Sequence, residues 1–310
     1  SDYSFLVTSV IKNAGEITNR GIEITIGGSP ITQGELRWNT NLTLAHNKAI
    51  YSLIPTLNKM QAMDSNVASS PMSIFQMIEG REIASFYGYT SNGVWKSTEV
   101  TEMTTVNNAD GTTKTDTYAN IYKVVPGQLK IVDLNSDGKI DVNDKSVIGS
   151  GQPSFNWGWN NTFTWKNFDL NIFMVGFHGF DIYNATNQSG FPNSINGVAQ
   201  DVLTPKRDFL NRWTKDNEDT DVPGFVYVSS PVQGFMSKFV EKGDFVKIKN
   251  MTLGYNLPAA ASKKAGLENL RVYLSVQNPL MLTSYKGLDP EATLGNPLTS
   301  GVDWGNYPNG

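Results

Sequence analysis

Two neighbouring segments, 155–165 and 168–178, alternate apolar and polar side chains and agree in their apolar face when they fold as a hairpin. A two-residue turn at Lys166-Asn167 makes the pairs Trp165 with Phe168, Phe163 with Leu170 and Trp159 with Met174. Each arm holds about ten alternating residues, close to the roughly 9–11 that a tilted strand needs to cross a bilayer. The apolar face is aromatic and the other face is small and amide-rich. The pattern predicts lipid on one side and a hydrated lumen on the other.

The same alternation recurs along the chain, which predicts an all-β fold. It covers Ile22–Ile26, Leu36–Leu44, Met251–Leu257 and Leu270–Val276. Gly27-Gly28-Ser29-Pro30 is expected to end the first of these strands. A change of parity between Ile248 and Met251 predicts a bulge near Asn250. Ile83–Trp95 is a candidate for further strand structure.

The connections between these strands divide by length. Short ones are expected near 27–34, 166–167 and 258–269, and long polar ones at 47–152, 179–237 and 284–310. Antiparallel strands then collect every short link at one end, as bacterial barrels do at the periplasmic side, with long extracellular loops at the other. Only about six or seven spanning strands can be counted, yet a barrel must close. We therefore expect residues 1–310 to be an incomplete portion of a large transmembrane antiparallel β-barrel.

Composition excludes several other classes. Charged residues make up 17% of the chain, the net charge is −4, and the sequence pI is about 5.3, with no basic run that would indicate nucleic-acid binding. There is no cysteine, and no apolar stretch reaches the length of a membrane helix. The chain begins with Ser1-Asp2-Tyr3 and shows no signal peptide, which favours a mature protein or a piece of one.

The sharpest local motif lies at 133–144, within the first long loop region. Its residues match a twelve-residue calcium loop, with ligands predicted at Asp133, Asn135, Asp137, Lys139 (through its carbonyl), Asp141 and Asp144. An EF-hand prefers Glu at the last position, and the flanks look extended rather than helical. We therefore predict a structural Ca²⁺ site, with a metal-free Asp- and Asn-rich turn as the alternative.

Other candidate chemistry is weaker. His46 and His178 are the only histidines and lie in separate strands, so no catalytic arrangement can be assembled and we expect no enzyme activity. Loop aromatics are candidates for substrate stacking or for packing the loops. The substrate candidates are Trp95, Trp213, Trp304 and Tyr307.

An ordered series of segments resembles the C-terminal barrel region of SusC/RagA-type TonB-dependent outer-membrane transporters of Bacteroidota. The series runs NAGEITNRGIE at 13–23, WNTNLTLAHNK at 38–48, EGREIASFYGY at 79–89, the Asp-rich loop, 148–153, FVKIKNMTLGY at 245–255, Gln277-Asn278 and TSYKGLDPE at 283–291. Each segment alone is weak, but the order is specific. The family's plug, TonB box and closing strand have no counterpart in it.

The resemblance implies a barrel of about 22 strands that encloses a plug. A SusD-like surface lipoprotein would close over the outer loops, and the TonB–ExbB–ExbD complex would pull on the plug to admit cargo. Oligosaccharides are the commonest cargo of such systems and peptides come next. The bilayer is the remaining partner, and no nucleic acid is expected.

Two alternatives remain open from the sequence. A secreted calcium-dependent β-sandwich, acting in carbohydrate binding or adhesion, explains the alternation and the Asp-rich loop but not the one-sided connection lengths. A passive porin shares the barrel but lacks a plug.

Overall fold

The computed structural model describes residues 15–54, 60–62, 74–108, 110–189, 207–225, 234–264 and 266–305. In chain order the strands are β1 (Glu16–Ile31), β2 (Leu36–Leu53), β3 (Met60–Ala62), β4 (Gln76–Ile78), β5 (Ser85–Tyr89), β6 (Ser91–Val94), β7 (Met103–Asn107), β8 (Thr113–Thr117), β9 (Leu129–Ile131), β10 (Lys145–Ser150), β11 (Phe155–Trp165), β12 (Phe168–His178), β13 (Asp181–Asn184), β14 (Val240–Lys242), β15 (Phe245–Asn256), β16 (Arg271–Thr283) and β17 (Val302–Asp303). The α-helices are α1 (Tyr118–Tyr122), α2 (Ala185–Ser189) and α3 (Ala259–Lys264). Short 3-10 helices include Glu99–Thr101, Val142–Asp144, Arg207–Asn211, Ser237–Phe239 and Pro290–Leu294. Among the described residues, no helix is long and apolar enough to cross a bilayer.

Six long strands form one antiparallel sheet in the order β1-β2-β11-β12-β15-β16. The shortest of them, β11 and β12, have 11 residues and the longest, β2, has 18. A strand of 11 residues reaches about 37 Å, which suffices to cross a tilted path through hydrocarbon. The sheet therefore has the strand length and all-antiparallel order of a transmembrane barrel wall.

The hairpin register predicted from the turn is confirmed. Trp165 lies opposite Phe168, and Phe163–Leu170 and Trp159–Met174 follow along the ladder. Lys166 has a φ of 51°, the left-handed conformation that a two-residue hairpin turn favours. The predicted bulge is also present, because Ile248 and Asn250 pair with consecutive residues of β12 and leave Lys249 between them.

The expected break at Gly27–Pro30 is wrong. Strand β1 continues to Ile31, and a register shift between Gly28 and Ile31 leaves Ser29 and Pro30 outside the ladder. Proline is tolerated there because no amide hydrogen is needed in a bulge. Strand β2 likewise continues to Leu53, so the first long connection begins at about residue 54 and not at 47.

The sheet has two chemically distinct faces. One row across the apolar face consists of Leu42, Trp159, Met174, Ile248 and Leu280, which lie opposite one another on successive strands. One row across the polar face consists of Asn39, Thr162, Asn171, Thr252 and Ser275. Because successive side chains point to opposite sides of a strand, each strand contributes alternate residues to both faces.

The long connections pack into a body of their own at one end of the sheet. The first connection joins β2 to β11, the second joins β12 to β15, and the third follows β16. Phe86 from the first connection packs with Tyr183, Met236 and Phe239 from the second, and all four side chains are fully buried. Strands β5 and β6 lie within Ile83–Trp95, which confirms the strand structure expected there.

Candidate functional site

The polar face of the sheet is held by side-chain hydrogen bonds between strands. The Asn171 amide donates to Asn160 Oδ1 at 3.0 Å and to Thr162 Oγ1 at 2.9 Å. Thr252 and Ser275 share a hydrogen bond of 2.8 Å between β15 and β16. Hydroxyl and amide groups of this kind suit a surface in contact with water or with a polar solute.

The third connection folds back onto this polar face and is fixed there by an ion-pair network. Lys247 Nζ of β15 lies 3.1 Å from Asp289 Oδ2 and 2.8 Å from Glu291 Oε2, and the Lys247 and Asp289 side chains are each only 5% exposed. Lys249 Nζ, at the bulge, lies 2.6 Å from Glu291 Oε1. Breaking a buried pair of this kind by removing one partner typically costs about 3–5 kcal/mol. The network therefore fixes residues 289–291 firmly against the sheet.

Electrostatics within the network favour the ionised state of the loop acid. Burial acts to raise the pKa of Glu291, but hydrogen bonds from Lys247 and Lys249 outweigh it, so the pKa is lowered from its ordinary value. Asp289 also accepts a hydrogen bond from the Glu291 amide at 2.9 Å and so begins the short helix Pro290–Leu294. The turn that carries the two acids is thus ordered locally as well as through the lysines.

The other end of the third connection is bound to the second connection. Strand β17 pairs in parallel with β13, with Val302 opposite Tyr183. Tyr285 Oη donates to Asp303 Oδ2 at 2.5 Å, and both side chains are buried. Burial and this hydrogen bond raise the pKa of Tyr285. Described parts of all three connections therefore pack together at this end of the sheet.

The Asp-rich loop at 133–144 is closed by its own backbone. Asp133 accepts from the amides of Ser136 (2.6 Å) and Gly138 (2.8 Å), and the fully buried Asp144 accepts from those of Leu134 (2.9 Å) and Asp141 (2.8 Å). Gly138 has a φ of 79°, and a Cβ there would lie 2.8 Å from Val106 Cγ2. The glycine of the motif is thus required by both conformation and space.

The predicted ligands lie in this one loop, where several of their side-chain oxygens accept hydrogen bonds from backbone amides. Asp137 accepts from the Lys139 amide at 2.9 Å, and Asp141 accepts from the Asn143 amide at 2.8 Å. Within the described ranges, no three acidic or histidine side chains are grouped so that they could hold a metal ion. Amide hydrogen bonds to these oxygens are compatible with a calcium loop and with a metal-free turn, so the calcium site stays a prediction.

A cavity of about 430 Å³ lies beside this loop. Its lining includes Trp95, Tyr118, Tyr122, Lys130 and Asp133. Lys130 Nζ sits 4.6 Å from the Trp95 ring centroid and 2.8 Å from Glu99 Oε1, so this face of the indole is occupied. Tyr122 donates to Asp133 Oδ2 at 2.9 Å, and burial together with this bond raises the pKa of Tyr122. The motif loop thus supplies one wall of the cavity.

The four aromatic candidates for substrate contact are not brought together by this cavity. Trp95 lines it but is only 5% exposed, whereas Trp213 and Trp304 are not among its lining residues. Trp213 is half-buried, and its buried indole nitrogen has no hydrogen-bond partner among the described residues, whereas Trp304 is exposed. Tyr307 lies outside the described residues. A stacking role for any of them stays a prediction.

The sequence reasoning missed the ion-pair network and the tyrosine wall of the cavity. One signal was available for the first, since Lys247 alternates with Val246 and Ile248 and therefore lies on the polar face of a membrane-length strand. Its partners follow 42 and 44 residues later, beyond any local spacing rule. That position placed Lys247 on the lumen side, but its burial and its two acidic partners depend on how the third connection folds.

Fold and site together define a class. Membrane-length antiparallel strands, one apolar and one polar face, and a packed set of long connections at one end are the features of an outer-membrane β-barrel. The β-sandwich alternative is wrong, because the long strands lie in one continuous sheet and not in two packed layers.

Known proteins of similar sequence belong to one group. No protein-family model matches the chain. TonB-dependent receptor P3 of Formosa agariphila is 33% identical over 318 residues, covering 98% of this chain and 28% of that receptor. TonB-dependent receptor SusC of Bacteroides thetaiotaomicron is 26% identical over 308 residues, covering 96% of this chain and 26% of SusC. The chain thus spans less than a third of these relatives.

Solved structures agree with the fold. The RagAB peptide transporter superimposes with a TM-score of 0.67 and 24% identity, covering 96% of this chain and 29% of that one. The RagAB peptide importer in its "open-open" state gives a TM-score of 0.65 and 19% identity, covering 93% of this chain and 27% of that one. This chain is a portion of a TonB-dependent receptor of the SusC/RagA type and belongs to the outer membrane.

Proposed function

We propose that the receptor carrying this chain imports oligomeric nutrients across the outer membrane, and that this portion supplies barrel wall and outer vestibule. The observation that carries the proposal is the match along 96–98% of the chain to TonB-dependent receptors of one type. The polar face would line the path, and the three connections would surround its outer mouth. The relatives are receptors and transporters by name, which supports a role without covalent chemistry.

Partners follow from the same resemblance. We expect a SusD-like lipoprotein to close over the connections and the TonB–ExbB–ExbD complex to supply energy through parts of the receptor outside this chain. Oligosaccharides are the first expectation for cargo, as in SusC-type systems. Peptides are the second, and the name of the RagAB peptide importer supports them.

Genetic removal of the receptor tests the cargo. A strain lacking the whole receptor should fail to grow on one oligosaccharide or peptide source and grow normally on monosaccharides and amino acids. Growth lost only on oligosaccharides supports the first cargo, and growth lost only on peptides supports the second. Unchanged growth on every polymer would contradict nutrient import.

Removal of TonB separates active import from the passive porin. Uptake that stops without TonB, while the receptor remains assembled, supports energised transport. Uptake that continues would assign the porin function. Extraction of the whole receptor in mild detergent, with mass spectrometry of copurifying proteins, tests for the lipoprotein lid.

A further inference from the structure

Two cations lie side by side on the apolar face where its hydrophobic rows end. Arg20 of β1 is directly opposite Lys48 of β2, and both side chains are exposed. Like charges in directly opposite positions of an antiparallel pair are destabilising. The pair lies toward the end of the sheet that carries the long connections, which is the extracellular end of such barrels.

The depth of the pair in the membrane follows from the register. On the same face, Ile22 lies opposite His46, and Ile24 and Ile26 continue the apolar column below them. Leu36 lies in the same row as Trp165 and Phe168, at the other end of the apolar face. The distance along β2 from Leu36 to His46 is about 34 Å, which at the usual strand tilt is about 26 Å along the membrane normal. An outward apolar band of barrels is about 25 Å tall. One step further along the strands, Arg20 and Lys48 reach the level of lipid headgroups.

Charges around the pair leave it cationic. Lys48 Nζ lies 3.0 Å from Glu82 Oε1, but the two side chains are 58% and 36% exposed, so this contact is weak. Arg20 makes no ion pair within the described ranges. Among the described residues, one carboxylate thus faces two cations, and the guanidinium retains donors in the fork geometry that matches phosphate oxygens.

We propose that Arg20 and Lys48 bind the phosphate of a lipid of the outer leaflet, whose acyl chains lie along Ile22, Ile24 and Ile26. An anion between the two side chains removes their repulsion, and an acylated one also covers exposed apolar surface. Ile22, Ile24 and Ile26 lie in one column of the apolar face, the face that meets lipid in a barrel of this kind. The site serves lipid contact and is separate from the polar face and from cargo.

The test uses the whole receptor, purified from its own outer membrane in a neutral detergent. The double variant Arg20→Gln/Lys48→Gln is compared with Lys263→Gln/Lys264→Gln, which removes two exposed lysines of α3 at the opposite end of the strands. Native mass spectrometry identifies bound molecules, and a heat-modifiable gel band confirms that each variant is assembled. Arg20→Lys/Lys48→Arg conserves charge and serves as the rescue variant.

We expect the wild-type receptor to retain a phosphorylated acyl lipid, and the Arg20/Lys48 double variant to retain about tenfold less. The α3 variant and the charge-conserving variant should both retain it as the wild type does. Three results would overturn the proposal: no phosphorylated lipid on the wild-type receptor, equal retention by the double variant, or inorganic phosphate as the bound species.

Discussion

Replacing Trp159 with arginine tests which face of the sheet meets lipid. Trp159 lies on the apolar face between Leu42 and Met174, well inside the band that begins at the Trp165 row. A cation near the bilayer midplane costs about 2–4 kcal/mol in a barrel. The variant also loses the hydrogen bond from Trp159 Nε1 to Thr40 Oγ1 at 2.8 Å, worth about 0.5–1.5 kcal/mol. A total of about 2.5–5.5 kcal/mol is a large part of the roughly 5–15 kcal/mol by which folded domains are stable.

The neighbouring residue provides a matched control. Asn160 is exposed on the polar face, where its side chain accepts a hydrogen bond from Asn171. Asn160→Arg introduces the same side chain one position away, into the surface predicted to be wet. Trp159→Phe is the second control, because it keeps an aromatic ring on the apolar face and removes only the indole donor.

Assembly of the whole receptor is the assay, measured as the heat-modifiable band of outer-membrane fractions on unheated gels. We expect Trp159→Arg to abolish or strongly reduce the band, Asn160→Arg to leave it, and Trp159→Phe to lower only the temperature at which it is lost. Equal assembly of the two arginine variants, or loss of Asn160→Arg alone, would refute the assignment of the faces.

Three further predictions concern the connections. Lys247→Met should make residues 284–305 sensitive to protease, because it leaves two acids without their buried cation at a cost of about 3–5 kcal/mol. Lys249→Met should have a smaller effect, because the Lys249 side chain is 33% exposed. Equal protease sensitivity of the two variants would contradict the network. The folded-state pKa of Glu291 is lowered, so its contribution is present above its ordinary value of 4.5 and is lost as pH falls through the folded value. Protease sensitivity should therefore appear only below about pH 4.5, and its appearance near neutral pH would count against this role. Asp137→Ala should remove bound calcium from the whole receptor, as measured by elemental analysis, and leave the barrel assembled; undiminished calcium would reject the predicted ligand set.

The hairpin was predictable because its register depends on local rules. A two-residue turn at 166–167 fixes the whole ladder, and a parity change reveals the bulge at Lys249. Strand β1 was mispredicted for a non-local reason: Pro30 stops a strand that needs its amide, and only pairing with β2 shows that it lies in a bulge.

The candidate site was less predictable than the sheet. The Asp-rich loop is visible in sequence because its spacing is local, but whether its oxygens turn toward an ion or toward the backbone is decided by three-dimensional geometry. The Lys247 network joins a strand to a turn that follows 42 residues later. Sequence periodicity is read over windows of about 11–18 residues and carries no information on pairing at that separation. The alternation around Lys247 indicates only that its side chain lies on the polar face.

Asn161 shows how the apolar face accommodates a residue that its pattern forbids. By alternation it points toward lipid, where an unsatisfied amide costs several kcal/mol. Its Oδ1 accepts from Trp38 Nε1 at 3.0 Å and from Thr40 Oγ1 at 2.9 Å, and the residue is only 4% exposed. Thr40 in turn accepts from Trp159, so two indoles donate into the polar group and shield it from hydrocarbon. The tryptophans of this face therefore act as hydrogen-bond donors as well as apolar surface, which explains why Trp159→Phe is expected to weaken a barrel that it leaves equally apolar.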